Sequence, residues 1–360
     1  MSNNHLLLLI IILLFSALST SKKQVVHVQI VARHGDRTPY ITFPTDPYSA
    51  LWKEKGGLGF LTEEGKQRMF RVGQDFRDLY PSLFTDRLNS FETVSVTSDL
   101  PRTVESGKYI LGGVYNILNI TNIKIKTWKP NALKADNGDC PAFDMANDAV
   151  KQSIQFKKKI QSFDNVISHL KTPTGLFKMN FESCADFADA MLVEKQNNLT
   201  LPEYVTAEVY DQLQTAMRIK FQMLSETQFE RELSSGVILE RIKNVFKTKV
   251  NKKQLQQGNS FIPYVTHEWV LISVIRHITG RLLPNPGYGD AIVFELSRNT
   301  INDEWFVSLK YKPGNSSTVQ NLRLCGKSKY CSFNQFLQKL SGKTIALPEY
   351  DNIYIKSGST

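Results

Sequence analysis

The chain has 360 residues, 41% of them hydrophobic and 11% aromatic, enough to bury a sizeable core. At roughly 150 residues per domain there is room for one large unit and a smaller one, and the lack of repeats or low-complexity tracts excludes solenoid and linker-dominated designs. A formal net charge of +10 favours anionic substrates or partners, but no nucleic-acid-binding module accompanies it, so no nucleic-acid partner is expected.

Leu6 to Phe15 is an unbroken apolar run, followed by the small and polar series Ser16-Ala17-Leu18-Ser19-Thr20-Ser21. This is the shape of a signal peptide, expected over residues 1–21, although its first residues carry no Lys or Arg. The run is too short to span a bilayer, and no later run is long enough either, so a soluble mature chain without a membrane span is expected. Residues 1–21 hold no Lys, Arg, Asp or Glu, so cleavage leaves the net charge unchanged. Export agrees with three candidate glycosylation sites at Asn119, Asn198 and Asn315, each in an Asn-X-Ser/Thr triplet. Four cysteines also fit an oxidising compartment.

Gln24 to Ala32 is apolar and β-branched and reads as a buried strand of a parallel sheet. Arg33-His34-Gly35-Asp36-Arg37-Thr38-Pro39 follows directly. Two guanidinium groups around one imidazole suit phosphate chemistry. Arginine offers planar donor forks for phosphate oxygens, and its charge disfavours the imidazolium, which leaves His34 neutral and nucleophilic. Thr93 to Val96 reads as a second strand. Ser98 or Asp99 then offers a helix N-cap, Pro101 suits a first helical turn, and Arg102 sits beside it.

Residues 135–245 turn helical in pattern, as in Val150 to Leu170 and Tyr204 to Leu224, punctuated by Pro141, Pro173 and Pro202. They read as a helical subdomain inserted between 22–134 and 246–360, which together form an α/β core. The Lys157-Lys158-Lys159 cluster and Lys252-Lys253 are expected to be solvated helix faces. Beyond them, Phe261 to Val265 is a third strand that passes through Thr266, His267 and Glu268 into an apolar helix ending near Gly280.

The three motifs each sit where a strand hands over to a helix or loop. In open α/β sheets ligands bind at the carboxyl ends of strands, where helix N-termini present N–H groups to anions. One pocket lined by Arg33, His34, Arg37, Arg102 and His267 is therefore expected. His27, His169 and His277 lack ligand spacing and read as structural, and no metal site is indicated.

The Arg-His-Gly-X-Arg-X-Pro pattern resembles the signature of the histidine acid phosphatases, a branch of the histidine phosphatase superfamily. Gly59-Phe60-Leu61-Thr62-Glu63-Glu64-Gly65, Val94 to Thr103, and Tyr264 to Glu268 resemble further blocks of that family, in the same order. The resemblance implies a phosphoglycerate-mutase-like sheet flanked by helices, with a helical cap that walls the cleft. It also implies hydrolysis of small phosphate monoesters in two steps, without metal or other cofactor. His34 would form a phosphohistidine, and Arg33, Arg37, Arg102 and His267 would hold the phosphate. Glu268 stands where the acid phosphatases usually carry Asp, and it would donate the proton to the leaving group. By the same resemblance Cys325 and Cys331 would form a disulfide, while Cys140 and Cys184 could pair or stay free. Relatives are often dimers, which makes a homodimer a state to test. A secreted or lysosome-like acidic location is expected.

Three other readings stand beside this one. A more selective phosphatase, such as a phytase, an inositol polyphosphate phosphatase or a lysophosphatidate phosphatase, would share the signature. The Arg37-Thr38-Pro39 ending looks more like the acid phosphatase branch than the phytases. A catalytically silent phosphate binder would result if Glu268 misplaced the proton. A secreted polyanion-binding protein would rest on charge alone.

Overall fold

The computed structural model describes residues 23–88, 94–128, 132–134, 140–252 and 260–357; the expected signal segment, residues 1–21, lies outside them. An eight-stranded sheet organises the molecule. Its strands are β1 (Lys23–Arg33), β2 (Ser95–Thr97), β3 (Ile125–Thr127), β4 (Phe261–Thr266), β5 (Ala291–Asn299), β6 (Trp305–Lys312), β7 (Gln320–Leu322) and β8 (Tyr330–Ser332). They lie in the order β3-β2-β4-β1-β5-β6-β7, with β8 also on β6. β1 to β4 are mutually parallel, whereas β5 to β8 join by antiparallel pairings.

The expectation of a parallel sheet around β1 is thus half corrected. One neighbour is parallel β4, the other is antiparallel β5. The reason lies in the loop 281–290, where Gly289 N–H donates to the His34 carbonyl. The chain has already returned to the edge where β1 ends before β5 begins, so β5 must run backwards.

The helices are α1 (Ser49–Glu54), α2 (Glu63–Leu79), α3 (Pro101–Tyr115), α4 (Pro141–Gln152), α5 (Ile154–Ile160), α6 (Asp164–Thr174) and α7 (Phe181–Gln196). They continue with α8 (Ala207–Met223), α9 (Gln228–Arg231), α10 (Val237–Lys252), α11 (Glu268–Thr279), α12 (Phe333–Lys339) and α13 (Leu347–Ser357). One face of the sheet sets Val28, Ile30 and Ala32 of β1 in a core with Met69, Val72 and Phe76 of α2 and Ile110 and Val114 of α3. Val31 and Tyr264 alternate to the other face, in a larger core with Val270 and Val274 of α11 and with helices of the 141–252 stretch. That alternation is the period of two that a strand covered on both faces demands.

Between Val150 and Leu170 the helical pattern is interrupted. Ser153 ends α4, and its hydroxyl accepts from Phe156 N–H to cap α5. α8 starts after Pro202 with a Thr206 cap. Cys325 and Cys331 are disulfide-bonded with Cα atoms 5.4 Å apart, and Cys140 and Cys184 are buried free thiols. Asn119, Asn198 and Asn315 are exposed, as are Lys157, Lys158, Lys159 and Lys252; Lys253 lies outside the described residues. Among the described residues no helix is long and apolar enough to cross a membrane.

Candidate active site

Register brings the three motifs to one edge. Arg33 lies opposite Thr266, and Thr97 opposite Val265, so β1, β2 and β4 end together. Backbone bonds lock the turns that follow: His34 N–H to Thr266 O at 3.0 Å and Ser98 N–H to Val265 O at 3.2 Å. The signature loop then presses on the N-terminus of α2. A Cβ at Gly35 would stand 2.6 Å from the Gly65 carbonyl, and one at Gly65 would stand 2.1 Å from the Asp36 carbonyl, so both positions require glycine. Thr62 caps α2 and its N–H donates to Asp36 O at 3.0 Å. The Gly59–Gly65 segment is thereby a brace for the signature loop.

α3 begins at Pro101, as its sequence predicts, but the N-cap is Leu100, without a side-chain cap. Ser98 is not available to cap. Its hydroxyl bonds the Thr103 hydroxyl at 2.8 Å and lies 3.2 Å from Nε2 of His267. His267 itself is the extended N-cap of α11, which ends at Gly280 with φ 73°.

His34 lies with Nδ1 2.8 Å from the Gly35 carbonyl. A carbonyl only accepts, so Nδ1 carries the hydrogen and Nε2 keeps its lone pair. Arg33 donates through Nη1 to Pro286 O at 2.7 Å and through Nη2 to Oε1 of Glu268 at 3.1 Å, with its guanidinium 4.1 Å above the Tyr288 ring. Arg37 makes a two-pronged pair with Asp189 at 2.9 and 2.8 Å. The His267 ring lies 5.4 Å from that of His34 and stacks on Trp269 at 4.6 Å.

Among the described residues several buried polar atoms here have no partner: Nε of Arg33, Arg37 and Arg102, Nδ1 of His267, and Oε2 of Glu268. Native interiors rarely leave such groups unsatisfied, so their concentration marks the place of a ligand. His34, Arg37, Arg102 and Glu268 line a 280 Å³ cavity together with Lys134, Lys151, Lys220, Phe221 and Trp269.

Burial, then the charges of Arg102, Arg33, His267 and Arg37, holds the His34 imidazole well below its usual range. Burial and the charges of Arg102, Lys134, Arg37 and Arg33 do the same to His267. Burial and then Arg37 push the Arg102 guanidinium down to about 10. Burial also pulls at Arg37, but the charge of Asp189 more than reverses it, so Arg37 is raised. The site is therefore a neutral imidazole among three guanidinium groups, of which Arg33 is paired with Glu268 and Arg37 with Asp189. Among the described residues no cluster of three or more His, Cys, Asp or Glu could hold a metal ion.

The model of the histidine phosphatase superfamily (branch 2) matches residues 24–307. The chain belongs to that family. It is a histidine acid phosphatase in the family's sense, a hydrolase of phosphate esters. Lysosomal acid phosphatase of Xenopus laevis is 25% identical over 343 residues, which cover 89% of this chain and 77% of that protein. Human prostatic acid phosphatase is 25% identical over 340 residues, covering 89% and 86%. The apo phytase of Hafnia alvei superposes with a TM-score of 0.65 at 15% identity, covering 92% of this chain and 99% of that one, a likeness of fold.

Within this histidine phosphatase the sequence-expected residues Arg33, His34, Arg37, Arg102, His267 and Glu268 share one region. Two neighbours escaped the sequence reading. Tyr288 sits under Arg33 because the loop into β5 returns to the site edge. Asp189 reaches Arg37 from α7, in the helical stretch. Its one legible trace is the pair Asp186 and Asp189, carboxylates three residues apart on a helix otherwise apolar at those turns.

Proposed function

We propose that this chain is a broad-specificity acid phosphatase that hydrolyses phosphate monoesters through a phosphohistidine on His34. The observation that carries the reading is the set of unpartnered buried donors beside a neutral imidazole, charges and N–H groups that a tetrahedral oxyanion would satisfy.

In the first step Nε2 of His34 attacks phosphorus and the ester P–O bond breaks, while Glu268 gives its proton to the departing oxygen. In the second, water attacks phosphorus and the P–N bond breaks. The water proton goes to the Glu268 carboxylate, which restores the enzyme and frees phosphate. Arg33, Arg37, Arg102 and His267 hold the non-bridging oxygens and stabilise the charge that they carry at the transition state. Acid favours the cycle because a general acid must carry a proton to give it, while burial and then the cationic shell keep His34 unprotonated.

Within the expected cap of residues 135–245, α4 to α8 serve as the cap, since Lys151 of α4, Glu182 and Asp186 of α7, and Lys220 and Phe221 of α8 line the cavity. Those lysines favour a second reading, a more selective phosphatase for multiply anionic esters. Lys151 pairs with Glu182 at 2.8 Å and Lys220 with Asp186, which tempers that lining and favours the broader activity. A secreted or lysosome-like compartment is supported by the apolar segment at Leu6 to Phe15, the exposed sequons, the disulfide and the lysosomal relatives.

The test is hydrolysis of an aryl phosphate by the mature protein and by His34→Ala, from acid to neutral pH. Turnover that peaks in acid and vanishes in the variant is expected. An alkaline maximum, or a variant as active as the parent, would overturn the proposal.

A further inference from the structure

α11 carries His267 and Glu268 at its start, and over its length of roughly 17 Å it leads to a second cluster of cations at its end. There a 560 Å³ cavity is lined by Arg231, Arg276, His277, Lys339 and Lys343, and no carboxylate belongs to its lining. We propose that this cavity is a second anion site, which takes a tetrahedral oxyanion, free or carried on a glycan.

Two of the cations have structural duties. Arg231 donates through Nη1 to the carbonyls of Ser225 and Glu226 at 2.8 and 2.7 Å. Arg276 donates through Nη1 to Gln222 O at 3.2 Å and to the Glu226 carboxylate at 3.0 Å. These bonds fix both guanidinium groups from one side. Lys339 and Lys343 differ: among the described residues neither ammonium has an ion-pair partner. Glu240, whose carboxylate reaches Thr344 next door, is taken by Lys243.

His277 supplies an independent sign. It is 4% exposed, lines the cavity, and its Nε2 has no partner among the described residues. Ser235 spends its hydroxyl hydrogen on Arg231 O at 2.6 Å, so in the 3.0 Å contact with Ser235 it is Nδ1 of His277 that donates. Nε2 therefore keeps a lone pair and can take up a proton as an anion enters.

The cluster is also electrostatically unsatisfied. Burial, Lys339 and Arg231 lower Lys343, and burial, Lys343 and Arg231 bring His277 down to about 4. Burial and Arg276 lower Arg231 despite Glu226, Glu230 and Glu232 nearby. The negative end of α11 accounts for some attraction of cations to this place. It does not account for two lysines without carboxylate partners beside an unpartnered imidazole.

Calorimetric titration of the full chain with inorganic sulfate and with a heparin oligosaccharide tests this, since sulfate holds its charge across the pH range used. The parent should bind sulfate at a site beyond the catalytic one, more tightly at pH 5 than at pH 7 and more weakly as salt rises. Lys339→Gln with Lys343→Gln should weaken that event by about tenfold, as expected for lost charged donors. Lys339→Arg with Lys343→Arg should retain it, and aryl phosphate turnover should persist in both. Loss of heparin binding in the Gln pair as well as of sulfate binding identifies a glycan-borne anion, and loss of sulfate binding alone a free one. Binding in the Gln pair with the parent's stoichiometry and affinity would overturn the site, as would loss of binding in the Arg pair.

Discussion

At the residue scale the telling position is Glu268, where the family resemblance leads one to expect the shorter Asp. The extra methylene lets one carboxylate oxygen reach Arg33 at 3.1 Å while Oε2 stays unpartnered on a residue that lines the cavity. A longer arm anchored at one oxygen can hold the other steady. That matters because a misplacement of about 1 Å can cost on the order of a hundredfold in rate. Glu268→Gln keeps the shape and an oxygen for Arg33 but removes the transferable proton. Its kcat for alkyl phosphates should fall by about 10²–10⁴-fold, with a much smaller loss for a nitrophenyl ester whose anion needs no proton. A leaving-group series read by steady-state kinetics checks this. Equal losses across the series would remove Glu268 from the donor role.

At the scale of elements, α7 is the piece that makes the signature loop depend on the helical stretch. Asp189 grips Arg37 with both partners almost fully buried, at 1% and 4% exposure, and Asp186 three residues earlier accepts from Tyr40 and Lys220. Breaking a buried pair of this kind costs about 3–5 kcal/mol, because the partner charge is left uncompensated. Asp189→Asn should lower the melting temperature, with Asp189→Glu recovering part of it. If the pair also aims Arg37, KM for ester and the inhibition constant for phosphate should both rise by about tenfold. A stability loss with unchanged phosphate inhibition would leave Asp189 a packing role. The same element shows where the sequence was legible. His34, Arg102 and His267 could be joined because each follows a strand, and parallel strands bring their ends to one edge whatever lies between. Asp189 follows no strand, and a helix position shows its face but not its distant partner. Tyr288 stayed hidden because nothing in the residues preceding β5 states that it runs antiparallel.

At the scale of the molecule, proton uptake pulls stability in two directions. His34 and His267 are held well below the ordinary imidazole value, and His277 is brought down to about 4. For these the unfolded chain binds more protons, so their contribution is complete above the unfolded value and is lost as pH falls below it. Glu194 opposes them. It is fully buried with both carboxylate oxygens unpartnered, and burial, then Asp46, lifts it from an ordinary 4.5 to about 8. Here the folded chain binds more protons, so stability is complete below the unfolded value and drains away as pH rises through about 8. The phosphate site thus makes acid costly, while this carboxyl between α7 and the Asp46 loop makes acid favourable. Glu194→Gln separates the two, since an amide cannot ionise. Melting temperatures across pH should show the parent losing stability from about pH 6.5 to pH 8, above the ordinary histidine value, and the variant nearly flat over that range. The variant should stand about 5 °C above the parent at pH 8, while its decline below pH 6 persists because the histidines are untouched. Parallel curves for the two proteins would mean that Glu194 does not set the alkaline limb.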